Sequence, residues 1–295
     1  MIAYASATGE PPKKESDDAA MKIAISKFFA IVFAIGLAVL ARPTEAAICQ
    51  FNQTSGAWNV PANWNNCSGG NGVPAGTPGP ADRAEITAAT AILPTGAFSV
   101  GDLYLGSATI QGSGIGATTL DVVAAGTIAW GSGFYIFNGL TVNLTSTMAI
   151  PAASGSLNVT NAVLRVAGSS TQLLADTITV TGAAAKLRNE GIFKPSNSLS
   201  LQSGAQFENA AGATFTPVTA FTINTVNGVF QNQGDFNLPP GLTVTLTGAT
   251  NFSMSGASAR LVGGGTLAAT GQTLTLSAGV VDGSPIFNVG TLLNN

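Results

Sequence analysis

Three carboxylates, Asp82, Asp102 and Asp121, recur at intervals of 20 and 19 residues. If each interval is one repeat of a stacked architecture, all three gather on one face. Two such groups flanking a glycosidic bond can act as general acid and base, and three can hold a calcium ion. The plainer reading, which we prefer, has Asp82 close an opening segment, Asp102 sit in a Val-Gly-Asp turn and Asp121 face solvent from within a strand. No Arg or Lys stands near Asp102 or Asp121 in the chain to meet a polyanionic sugar. The sequence contains no His, which removes the commonest general base and most zinc ligand sets. It has no Gly-x-Ser-x-Gly elbow and no phosphate-cradling loop with a Lys, and Gly263-Gly264-Gly265 reads as a corner. The expectation is a protein without catalysis, cofactor or metal.

The elements that would position these groups announce themselves in a recurring pattern of a bulky apolar residue, an Asn, a Gly and a second bulky apolar residue. It spans Leu187, Asn189, Gly191 and Phe193, then Phe207, Asn209, Gly212 and Phe215, then Phe230, Asn232, Gly234 and Phe236, and once more Ile286, Asn288, Gly290 and Leu292. The first three asparagines lie 20 and 23 residues apart, the length of one turn of a parallel β-solenoid, which stacks each side chain on its copy. Short runs of period two, the strand signature, repeat with the same interval. Leu157, Ile178, Leu199, Phe221 and Leu242 begin the clearest ones and are expected to lie in register, with Leu103, Leu120 and Leu140 upstream and Leu274 downstream. Phe207, Phe230 and Phe252 should stack inside, and Asn189, Asn209, Asn232 and Asn288 should form a ladder at one corner. Thr-Gly-Ala or Ser-Gly-Ala follows several strands, at residues 181–183, 203–205 and 247–249, where Gly takes the positive φ of a sharp bend. Thr222, Thr243, Thr245, Thr273 and Thr275 would make a polar outer lattice for a glycan or surface.

Composition agrees with a folded, exported protein. Charged residues are 8% of the chain against about 25% in ordinary globular domains, while 45% apolar content argues against disorder. An apolar run from Phe28 to Ala41, preceded by Lys22 and Lys27, is shorter than the ~20 residues that span a bilayer and suits a Sec-type signal cleaved after Ala46; an uncleaved anchor is the alternative. The segment before Met21 reads as an upstream extension of the reading frame. Residues 47–295 carry six basic and nine acidic side chains, so no phosphate-neutralising patch is expected and nucleic acid is not a partner. Cys49 and Cys67 are most simply a disulfide, with a lipid-modified Cys49 as the weaker rival because Ile48 is not small. The domain reading is therefore an extension and signal over 1–46, a cap over 47–90 holding Trp58, Trp64 and the cysteines, and a solenoid over 91–295.

Trp58, Asn63-Trp64, Pro74 and Asp82-x-Ala84-x-Ile86 resemble the module that opens bacterial exported β-solenoid proteins, a group that includes autotransporter passenger domains and haemagglutinin-like surface proteins. Leu261 to Leu267, Gly279 to Gly283 and Gly290 to Leu292 resemble their later rungs. The resemblance agrees with the fold read from the repeats and the cysteine pair, an all-β, right-handed parallel β-helix with a small disulfide-closed N-terminal cap. It also implies a structural or adhesive role at the bacterial surface or outside the cell, with a glycan or cell-surface component as partner. The chain reaches Leu293-Asn294-Asn295 with an intact rung pattern and none of the barrels, sorting helices or wall-anchoring motifs of that group, which reads either as truncation or as unanchored release. An unpaired last rung around Ile286 to Leu292 would favour end-to-end self-association. The alternative is a polysaccharide-active enzyme, a lyase or glycoside hydrolase, on the same scaffold.

Overall fold

The computed structural model describes residues 47–67, 76–123, 128–145, 155–168, 177–248 and 252–294. The expected signal segment over 1–46 and Pro74 of the opening module lie outside them. The described chain is all β, without α-helix, and winds as a parallel β-solenoid. No helix among the described residues is long and apolar enough to cross a membrane.

Each turn passes three faces. The first face stacks Thr90–Leu93, the later parts of Asp102–Gly112 and Ile128–Phe137, then Ser156–Thr160, Ile178–Thr181, Ser198–Gln202, Phe221–Asn224, Thr243–Thr247 and the start of Thr266–Leu276. The second stacks Gly96–Val100, Thr118–Val122, Leu140–Leu144, Val163–Val166, Lys186–Asn189, Gln206–Asn209, Val229–Asn232 and Phe252–Met254. The third is formed at the N-terminal end by Ala47–Phe51, Asp82–Ile86 and the first part of Asp102–Gly112. At the other end it is formed by Ile192–Phe193, Thr214–Phe215, Asp235–Leu238, Arg260–Gly263 and Val280–Gly283. All these pairings are parallel, and alternation of side chains sends every second residue inward. No turn can bury its apolar edge alone, so the core is one continuous cluster from Cys49 to Leu276, built by stacking neighbours.

The apolar core is layered by residue type. On the second face Leu120, Val142, Leu164, Leu187, Phe207, Phe230 and Phe252 form one inward column. The Phe207 and Phe230 rings stack with centroids 4.6 Å apart, and Phe230 and Phe252 with 5.1 Å. A second aromatic column, Phe193, Phe215 and Phe236, runs up the third face and meets the first edge to face, as Phe215 does with Phe207 at 5.2 Å. Edge-to-face and offset contacts of this kind add to the burial of the rings.

The expected register holds for Leu157, Ile178 and Leu199 and then slips by two. Leu199 pairs with Ile223, and Ile223 with Leu246, while Phe221 pairs with Val244 and Leu242 precedes its strand. A slip of two keeps every side chain on its own face, so the alternation of apolar residues could not expose it. Leu103 belongs to the third face, Leu120 and Leu140 to the second and Leu157 to the first, so the upstream series joins three faces, and Leu274 downstream lies in the part of its strand that stacks on the second. The predicted bends are present: Gly182, Gly204 and Gly248 have φ of 104°, 82° and 90°.

Residues 47–65 contribute the first turn as well as a cap. Ala47–Phe51 pairs in parallel with Asp82–Ile86, Ser55–Ala57 with Thr90–Leu93, and Trp64–Asn65 lies antiparallel on the first strand. Trp58 and Trp64 are buried, meet edge to face at 4.8 Å, and are tied by Trp64 Nε1 donating to the Trp58 carbonyl at 2.7 Å. Cys49 and Cys67 are disulfide-bonded.

Candidate functional site

The corner between the second and third faces is built by three asparagines. Asn189 takes the inward position occupied by Val166 on the rung before it, and Asn209 and Asn232 follow in register. All three are fully buried. Asn189 Nδ2 donates to Asn209 Oδ1 at 2.7 Å, and Asn209 Nδ2 to Asn232 Oδ1 at 2.7 Å. The same amides also donate to the carbonyls of Thr214, Asp235 and Arg260, where the next rung enters the third face. A buried polar group needs such partners, and the ladder supplies them where the backbone turns. Glycine beside it is enforced by space: a Cβ on Gly234 would lie 2.3 Å from the Ala213 carbonyl oxygen. The ladder does not extend to Asn288, which pairs with Ala268 on the first face, while Asn232 is followed by Met254. These asparagines are architectural.

The outward column beside them carries the charge. Asp121, Asn143, Arg165, Arg188, Glu208 and Gln231 succeed one another on the second face. Arg165 Nη2 donates to both oxygens of Glu190, at 2.8 and 3.0 Å. Arg188 lies 2.6 Å from Glu190 and 3.1 Å from Glu208, and Lys186 lies 3.3 Å from Glu208. Burial pushes the Glu190 carboxyl up, but the hydrogen bond and charge of Arg165, joined by those of Arg188, outweigh it and hold its pKa below the ordinary value. At the N-terminal end of this column Asp121, Asn143, Thr145, Arg165 and Glu190 line a notch of about 330 Å³. Asn143 Nδ2 donates to Asp121 Oδ1 at 2.6 Å. Hydroxyl-bearing ligands could hydrogen-bond there.

The three carboxylates singled out by spacing are not brought to one face. Asp82 is fully buried at the start of its strand and accepts from the Gly79 amide at 2.9 Å. Asp102 stands on the third face in register with Arg83, a cation that the sequence spacing did not place beside it. The Arg83 guanidinium lies 5.0 Å from the Tyr104 ring centroid. Asp121 is on the second face, between Ser99 and Asn143. Among the described residues no group of three or more His, Cys, Asp or Glu side chains is placed to hold a metal ion.

The first face is different in character. Its outward columns read Thr90, Thr109, Tyr135, Asn158, Thr179, Ser200, Asn224 and Thr247, and beside them Gln111, Phe137, Thr160, Thr181 and Gln202. None of these residues carries a fixed charge. The expected threonine lattice is divided: Thr222, Thr243 and Thr245 lie on this face, whereas Thr273 and Thr275 lie in the later part of Thr266–Leu276, whose Thr275 pairs with Ser253 on the second face. The charged column escaped the sequence reading, although its phase was visible: Arg188, Glu208 and Gln231 each immediately precede a ladder asparagine.

The fold and these surfaces define a parallel β-solenoid with one uncharged hydroxyl and amide face and one ion-paired face. No family model matches the chain, and no curated protein or solved structure is significantly similar to it.

Proposed function

We propose that the protein is a non-catalytic structural or adhesive β-solenoid of the exported bacterial kind, working through its outer faces. The observation that carries this reading is the uncharged first face, where hydroxyl and amide side chains repeat at each turn, about 4.8 Å apart, from Thr90 to Thr247. A repeating surface of this sort engages an extended partner by many equivalent weak contacts. A catalytic centre instead needs dissimilar groups converging on one atom. The adhesive role and the bacterial surface location rest on the resemblance of the opening and later rungs to exported solenoids, an argument by analogy from fold to role.

The second reading, a polysaccharide lyase or glycoside hydrolase, is favoured by one feature, the notch that places Asp121, Arg165 and Glu190 together. Its chemistry runs against Glu190, since a general acid needs a raised pKa and this one is lowered by its arginines. The deciding experiment coats wells with neutral and acidic polysaccharides and measures both retention of the purified chain and release of reducing ends or unsaturated products. Retention without product is the expected result; product formed in proportion to protein would overturn the reading.

A further inference from the structure

We propose that Tyr135 and Phe137 form a stacking platform for a neutral polysaccharide on the first face, an inference that rests on the adhesive reading above and gives it a site. Both residues point outward from Ile128–Phe137 and are half-buried. Their rings are parallel to within 4°, with centroids 6.2 Å apart. The Tyr135 ring is laid back along its own strand. A Cβ on Gly133 would meet Tyr135 Cε2 at 2.7 Å and its hydroxyl oxygen at 3.0 Å, so the far end of the ring rests over the Gly133 backbone. Phe137, parallel to it and displaced by close to the ~6.6 Å rise of two strand residues, continues the same attitude.

What surrounds the rings specifies the ligand. Thr109 and Gln111 lie on the preceding rung and Asn158 and Thr160 on the following one, in register with Tyr135 and Phe137 respectively. Two aromatic surfaces are thus bordered on both sides by hydroxyl and amide groups about 4.8 Å away. A sugar ring has the matching anatomy, with an apolar C–H surface that packs on an aromatic ring and hydroxyls at its edge that both donate and accept. The platform lies among uncharged columns, whereas the arginine and lysine ion pairs of Arg165, Lys186 and Arg188 stand on the second face. With no cation beside it among the described residues to focus an anionic chain, the site selects a neutral glycan. Repetition of Asn and Thr up the same columns, at Asn158, Thr179 and Ser200, gives an extended chain further contacts along the solenoid.

The test is affinity electrophoresis of the full chain through gels containing hydroxyethylcellulose, with pull-down on cellulose and on chitin. Wild-type protein should bind at least one of these, and the double variant Tyr135→Ala, Phe137→Ala should bind at least tenfold more weakly. Gly133→Ala keeps both rings but lifts Tyr135 off its strand, so it should also weaken binding several-fold, while Tyr135→Phe, which keeps the ring, should bind more tightly than the double variant, and Arg260→Gln, on the third face, should bind as wild type. Unfolding midpoints near wild type for Gly133→Ala and Tyr135→Phe keep the comparison independent of folding. Binding that persists in both the double variant and Gly133→Ala overturns the platform and leaves the adhesive reading standing, as does adhesion to bacterial surfaces without retention on any of the three polymers. A chain that adheres to none of them overturns both.

Discussion

Asn209 Oδ1 receives a hydrogen bond from Asn189 Nδ2 at 2.7 Å, and its own Nδ2 divides between Asn232 Oδ1 at 2.7 Å and the Asp235 carbonyl at 3.0 Å. The amide is the central link of a fully buried ladder, so its loss strands groups on both sides. Replacing it with Ala leaves the Asn232 and Asp235 acceptors short of a donor where water cannot reach them. The expected cost is about 1–3 kcal/mol for such stranded groups, read as a lower urea midpoint with an unchanged m-value. Asn209→Asp should be worse, because it sets a buried charge against two acceptor oxygens.

Phe230 is sandwiched between Phe207 and Phe252 and touches Phe215 edge to face at 5.5 Å. Its neighbours are fixed by backbone ladders on either side and cannot collapse far into the space it leaves. Phe230→Ala is expected to lower stability by about 3–5 kcal/mol, and Phe230→Leu by less, in equilibrium denaturation followed by circular dichroism.

Period and corner chemistry were legible in the chain because a solenoid writes its geometry as a repeat: the Asn and Phe columns fall where the 20- to 23-residue spacing puts them. Asn288 did not follow because it stands 56 residues after Asn232, which is not a whole number of such turns, and its similar local motif lands on another face. The two-residue slip at Ile223 was invisible because it preserves alternation. Charge pairing was the least legible feature. Arg165 and Glu190 are 25 residues apart, and only the register of the second face brings them together.

Cys49 sits in the core of the first turn, and its bond to Cys67 closes a loop that contains the Trp58 and Trp64 plug. In the chain-entropy model a crosslink over a loop of this size stabilises by about 3 kcal/mol. Reduction should lower the thermal midpoint of the purified protein, and alkylation followed by mass measurement should find two thiols only after reduction. Two reactive thiols in the untreated protein would contradict the bonded cap.

Glu190 has its pKa held below its ordinary value in the folded protein because its two arginines outweigh its burial. A carboxylate whose folded pKa is depressed contributes stability above its unfolded pKa, about 4.3, and loses that contribution as pH falls through the folded value. Wild-type protein should therefore lose stability between neutral and strongly acidic pH by more than Glu190→Gln does, and the two urea midpoints should converge at the acid end. Because Glu190 and Arg165 are partly exposed, molar salt should shrink the difference at neutral pH.

Asp121 and Glu190 together test the enzyme alternative, since they are the carboxylates that line the notch. If the notch only binds or only completes the ion-paired face, the double variant Asp121→Asn, Glu190→Gln changes acid stability and leaves the absence of product on acidic and neutral polysaccharides as it was. Asp102→Asn should be equally silent, because Asp102 stands on the third face in register with Arg83. Depolymerisation by the wild-type chain, abolished in the notch variant and retained in Asp102→Asn, would instead place a pair of catalytic carboxylates on the second face. The distance between them, refined in a sugar complex, would then distinguish retention of configuration at about 5–5.5 Å from inversion at about 6.5–9.5 Å.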